Sequence, residues 1–104
     1  MKIIVVAPNE QPRIEEIENT LEAMQAVVGG LIQAIYPWDN HIALIVNEEG
    51  KLTGLPFNCA LLDDDGEIAD VIVGTFFLCY APADSENFES LPDTEIDKYL
   101  KIFQ

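Results

Sequence analysis

Positive charge is nearly missing from this sequence. Five lysines and arginines stand against 19 aspartates and glutamates in 104 residues, a formal net charge of −14. No lysine or arginine occurs between Arg13 and Lys51, or between Lys51 and Lys98, while acids recur through both intervals. Carboxylates without partners must therefore cover much of the surface. Such a field repels a phosphate backbone and an anionic membrane and attracts basic proteins and cations, so direct nucleic-acid binding is not expected.

Other absences narrow the chemistry. The longest nearly apolar run, Ile68 to Ala83, is broken by Asp70 and is too short to cross a bilayer core of about 30 Å as a helix. The β-branched run Ile3 to Ala7 meets Pro8 too early for a signal-peptide core and predicts a strand, so a cytoplasmic location is expected. Two cysteines, Cys59 and Cys79, are too few and too far apart for a zinc knuckle or a CxxC pair, and free thiols in a reducing compartment are expected. With His41 the sole histidine, no two-imidazole metal site can form, although one histidine can still serve as a general base. GxSxG, HExxH, Walker A and GxGxxG patterns are all missing. Neither an enzyme nor a cofactor is expected.

The composition that is present, 49% hydrophobic and 23% charged, suits one folded domain spanning residues 1–104. Lys2 to Ala7 alternates too little to be half exposed and reads as a central strand buried on both faces. Ile14, Ile17, Leu21, Met24 and Val28 recur at intervals of three and four, predicting one helix from Ile14 that stops at Gly29-Gly30. Leu31 to Tyr36 and His41 to Val46 read as a hairpin. The glycines and proline before Asn58 to Leu62 suggest a helical turn or an irregular segment there. Ile68 to Val73 and Thr75 to Ala81 read as strands, with a bulge or tight bend at Gly74. Pro82 to Pro92 reads as a polar surface loop, and Asp93 as the cap of a helix over Thr94 to Phe103. The expected fold is α+β: a mixed or mostly antiparallel sheet of about five strands, a main helix after the first strand, and a C-terminal helix.

Three groups of residues are candidates for function. Tyr36, Trp38 and His41 gather in one loop that could stack on a base or fill a partner's pocket, although Trp38 equally suits a cap on the core. With Asn47 and Asn58, from a loop shaped by Gly50, Gly54 and Pro56, they form a speculative ligand set for a small, nucleotide-like molecule. Glu15, Glu18 and Glu22, on the predicted helix, form a speculative partner-binding face that could imitate phosphates or simply be solvated. The run Asp63-Asp64-Asp65-Gly66 fails as a calcium loop: with Gly66 sixth, Leu61 falls first and Ile72 twelfth, where oxygen ligands are required.

The stretch Asn47-Glu48-Glu49-Gly50-Lys51-Leu52, followed by Gly54-Leu55-Pro56, Asn58 and Gly74-Thr75, resembles a domain-of-unknown-function family. So do Glu16-Ile17, Leu21, Gln25 and Val28-Gly29-Gly30. The likeness runs from Lys2 to about the final helix and departs at Cys59, where a basic residue is expected. It implies small proteins of phages, plasmids and integrative elements, often near antirestriction genes, with no assigned activity. Charge and resemblance together lead to the expectation of a non-enzymatic protein-binding module, with a DNA mimic or anti-defence inhibitor of a basic host protein as its sharper form. Small-ligand binding is the alternative. Oligomeric state is open at this level.

Overall fold

The computed structural model describes residues 1–104. Seven strands and two helices follow in the order β1 (Lys2–Val6), β2 (Arg13–Glu16), α1 (Leu21–Val28), β3 (Ile32–Ile35), β4 (Ile42–Asn47), β5 (Phe57–Leu62), β6 (Ile68–Val73), β7 (Phe76–Tyr80) and α2 (Asp93–Ile102). Five strands form one antiparallel sheet in the order β2-β1-β7-β4-β3, and β5 and β6 form a separate two-stranded antiparallel sheet.

Both faces of the main sheet are buried, which explains why its inner strands are apolar without alternation. Side chains alternate between the faces with period two. Ile3, Val5, Ala43, Ile45, Phe77 and Cys79 meet Met24 and Val28 of α1 on one side. Ile4, Val6, Ile42, Leu44, Phe76 and Leu78 meet Ile72, Leu91, Ile96 and Tyr99 on the other. The layers are therefore α1, the main sheet, and a third layer shared by the β5-β6 hairpin and α2. No helix is long and apolar enough to cross a membrane.

The long first helix of the sequence reading is corrected. Arg13–Glu16 is an edge strand paired with β1, Ile14 opposite Ile4, and the helix begins only at Leu21. Thr20 caps it, its side chain accepting a hydrogen bond from the Ala23 N–H at 3.1 Å. The three-and-four spacing from Ile14 to Leu21 thus crosses a strand, a turn and a cap. Ile14 is exposed and Ile17 packs beside the α1-side core without helical backbone. Gly29 ends α1 at φ 82°, donating its N–H to Gln25 O.

Two further readings change. Asn58 to Leu62 belongs to strand β5 rather than to a helical turn. Asp93 is the first helical residue of α2, and Pro92 occupies the cap position without a side-chain bond. The surface loop expected before α2 is present and is anchored: Leu91 is buried and its N–H donates to Lys2 O, while Tyr80 and Glu89 exchange backbone bonds. Gly74 does make the tight bend expected of it, at φ 74°, passing the chain from the hairpin back into the main sheet.

Candidate functional site

The motif carrying the sequence resemblance folds into a latch that fastens the hairpin to the main sheet. Loop Asn47 to Pro56 is closed by its own backbone bonds: Gly50 N–H to Asn47 O at 3.1 Å, Thr53 N–H to Glu49 O at 2.9 Å and Leu55 N–H to Gly50 O at 3.0 Å. Leu55 lies over two glycines; a Cβ at Gly74 would come within 2.7 Å of Leu55 Cδ1, and one at Gly50 within 3.2 Å. Gly74 N–H donates to Pro56 O at 2.7 Å. Both amide protons of Asn58 are also engaged, donating to Val6 O at 3.0 Å and Gly74 O at 2.8 Å.

Asn47 serves a parallel end. Its Nδ2 donates to Val28 O and its Oδ1 accepts from Glu49 N–H, tying the exit of β4 to the end of α1. The close approach requires glycine at position 30, where a Cβ would meet Asn47 Nδ2 at 2.9 Å. Asn47 and Asn58 therefore spend their amides on the fold.

Trp38 is half-buried against Tyr99 and Phe103, with ring centroids 4.8 and 6.2 Å apart. The buried Tyr99 hydroxyl accepts from Asn40 Nδ2 at 2.6 Å. Of the two readings of Trp38, the cap on the core is the one that these contacts describe. Tyr36 and His41 are exposed, and His41 adopts φ 62°.

Along β5 runs a groove of about 560 Å³, lined on one side by the consecutive residues Asn58 to Leu62 and on the other by Asn9 to Gln11 and the end of α2, with Val6, Trp38 and Phe103 also in its walls. A second cavity of about 570 Å³ adjoins it, sharing Pro37, Trp38, Leu61 and Leu62. Asp39, Asp63, Asp64 and Asp70 line the second cavity and Glu10 lines the first; no lysine, arginine or histidine lines either.

The five speculative ligand residues do not converge. Trp38 and Asn58 share the first groove, and Tyr36 and Trp38 the second. Asn47 lines a third cavity of about 180 Å³ beside Lys51 and Asp70, and His41 lines none of the three. Nor do Glu15, Glu18 and Glu22 form a helix face: Glu15 is in β2, Glu18 precedes the cap, and only Glu22 is helical. Residues that the sequence reading passed over, Glu10, Ala60, Leu61, Ile102 and Phe103, are the ones that build the groove. Charge gave no signal for it: Phe57–Leu62 is uncharged, but so are the longer stretches Ala23 to Trp38 and Val71 to Ala83.

Carboxylates outnumber cations around the groove, where Arg13 pairs with Glu10 and Lys51 with Asp70. Ion pairs engage Glu10, Glu15, Glu16, Asp70 and Asp93, leaving 14 of the 19 carboxylates without a cationic partner. The side-chain pairs are solvent-exposed, and each contributes at most about 1 kcal/mol. Both thiols are free; burial raises the Cys59 pKa and pushes Cys79 up to about 12. Cys59 lines the groove whereas Cys79 is wholly buried on the α1 side.

The family model of a domain of unknown function, DUF3846, matches residues 1–104. No curated protein and no solved structure matches the chain significantly.

Proposed function

The chain belongs to the DUF3846 family, and we propose that it acts as a non-enzymatic protein-binding module that recognises a basic partner. One observation carries this reading: two adjoining cavities along β5 are lined by five carboxylates, of which Asp39, Asp63 and Asp64 have no cationic partner, and by no positively charged side chain. Surfaces of one sign focus the potential toward an opposite charge and speed its capture. The same lining disfavours an anionic nucleotide, because Lys51, the nearest candidate to neutralise it, lines neither cavity and is engaged with Asp70 at 3.2 Å. The engaged amides of Asn47 and Asn58 further weaken the small-ligand alternative.

In the setting implied by the sequence resemblance, the protein is an accessory of a mobile element. Its partner is then a basic DNA-binding or defence enzyme of the host, toward which carboxylates stand in for phosphates. The test is affinity capture from bacterial lysate on the immobilised chain, eluted in steps of rising salt. A basic protein retained at low salt should leave as the Debye length shrinks from about 10 Å at 0.1 M toward about 3 Å at 1 M. Recovery of no basic partner, or retention indifferent to salt, contradicts the reading.

A further inference from the structure

We propose that the outer edge of β5 is a strand-addition site, taking an extended, lysine- or arginine-bearing segment of the partner into the groove. The proposal rests on the protein-binding reading above and assigns it a place. An unpaired strand edge is a template for another chain, and proteins ordinarily blunt it with charge. Edge strand β2 is blunted in this way by Arg13, Glu15 and Glu16; β3 and β5 carry no charged residue, and of these β3 is only four residues long whereas β5 has six.

The backbone of β5 has no partner except β6. From Phe57 to Leu62 no N–H or carbonyl bonds to another part of the chain, although the flanking Pro56 and Asp63 are both engaged. The groove is lined by consecutive β5 residues, Asn58 to Leu62. Register shifts fall at Phe57/Cys59 and Leu61/Leu62, and between them the consecutive residues Cys59, Ala60 and Leu61 alternate between faces, so a cavity bordered by all three reaches the edge of the strand and not one face alone. Strand β6 is placed differently: Asp70 to Val73 border a cavity of only about 180 Å³ beside the Lys51–Asp70 ion pair, and Ala69 and Asp70 alone reach the larger cavity that Leu61 and Leu62 share.

Two features prepare β5 to receive a strand. The latch at Leu55, Asn58 and Gly74 fixes the hairpin on the sheet, so binding does not have to order it. Exposed apolar side chains flank the groove, Leu62 at 63% and Ile102 at 49% exposure, where an incoming strand can set its own apolar residues. Charge selects the occupant. Asp39, Asp63 and Asp64, which have no cationic partner, gather in the adjoining cavity beside Asp70, which pairs with Lys51, and Glu10, which pairs with Arg13, lines the groove, so basic side chains find free carboxylates at the Leu62 end while an acidic segment is repelled.

Main-chain pairing is tolerant of sequence, so a generic probe suffices: a capped hexapeptide alternating lysine and valine. The readout is alkylation of Cys59 at alkaline pH, with wholly buried Cys79 as the internal reference. At about ten times its dissociation constant, the peptide should slow Cys59 alkylation about tenfold by mass action. The same peptide N-methylated at alternate residues, and a glutamate–valine peptide, should leave the rate unchanged. Equal protection by the N-methylated peptide, or none by the lysine–valine peptide, overturns the proposal. So does a Cys59 rate that falls with protein concentration alone, which would make the occupant a second copy of the chain. If Cys59 is unprotected while salt-sensitive capture of a basic protein persists, strand addition fails and the broader reading stands; if capture fails too, both fall.

Discussion

Replacing Gly74 with alanine should loosen the latch. At φ 74° an L-residue pays about 1–2 kcal/mol for left-handed backbone. The new Cβ also comes within 2.7 Å of Leu55 Cδ1 and 3.4 Å of Leu55 Cβ, an overpacking that costs about 1–3 kcal/mol if the leucine cannot move aside. Reduced freedom of the unfolded chain returns about 0.4–1 kcal/mol. The net loss for Gly74→Ala is then about 1–4.5 kcal/mol, centred on about 3, a large share of the roughly 5–15 kcal/mol that holds a typical domain together. Gly54 provides the control, because it has the same φ of 74° but no atom within 4 Å of a new Cβ, so Gly54→Ala should lose only about 1 kcal/mol. Urea unfolding followed by circular dichroism measures both, provided the slopes match wild type. Adding Leu55→Ala to Gly74→Ala should cost less than the sum of the two single losses, since the closest clash disappears. Equal losses at Gly74 and Gly54 would refute the latch.

Other outcomes follow from the same contacts. Asn58→Ala should destabilise by about 1–3 kcal/mol, because the Val6 and Gly74 carbonyls lose their donor. Asn58→Asp should be worse at neutral pH, since it turns a carboxylate toward two carbonyls. Its folded pKa would lie above the unfolded value of about 3.9, so the gap to Asn58→Ala should narrow as urea midpoints are measured at falling pH. Thr20→Ala should cost about 1 kcal/mol in the same assay if the first helix starts where its cap places it. For Cys79, pushed up to about 12 by burial, the folded state keeps a proton that the unfolded state releases near 9.0. Its contribution is therefore complete below about pH 9 and lost as pH rises toward 12, and Cys79→Ala should flatten that part of the stability curve relative to wild type.

The inner strands β1, β4 and β7 were legible because burial on both faces leaves an unbroken apolar run, and β6 because its β-branched residues are dense. The start of α1 was not. Ile14, Ile17 and Leu21 happen to fall at helical spacing while serving an edge strand, a turn and the first residue after a cap, and Asn19-Thr20 was the better signal. Strand β5 was hidden because asparagine, cysteine and alanine carry little β preference, and because Gly50 and Pro56 before it are latch residues while Gly54 only turns the loop. A bulge between Phe57 and Cys59 also disturbs the alternation that would have revealed it. The acidity was read correctly as lacking partners, yet its placement depended on elements distant in sequence. Glu10, Asp39 and Asp63 come together only when the β1-β2 turn, the β3-β4 turn and the hairpin meet around Trp38. Asn47 and Asn58 looked like binding residues for the reason that makes them structural: an amide can satisfy several backbone groups at once.

The most direct measurement is an amide NMR titration of the intact chain with the lysine–valine hexapeptide. The account expects shifts concentrated at Asn58 to Leu62, at the Trp38 indole and at Asp63 and Asp64, diminishing with added salt, while α1 and the Lys51 loop stay still. Shifts confined to other surfaces, or none at β5, would contradict it.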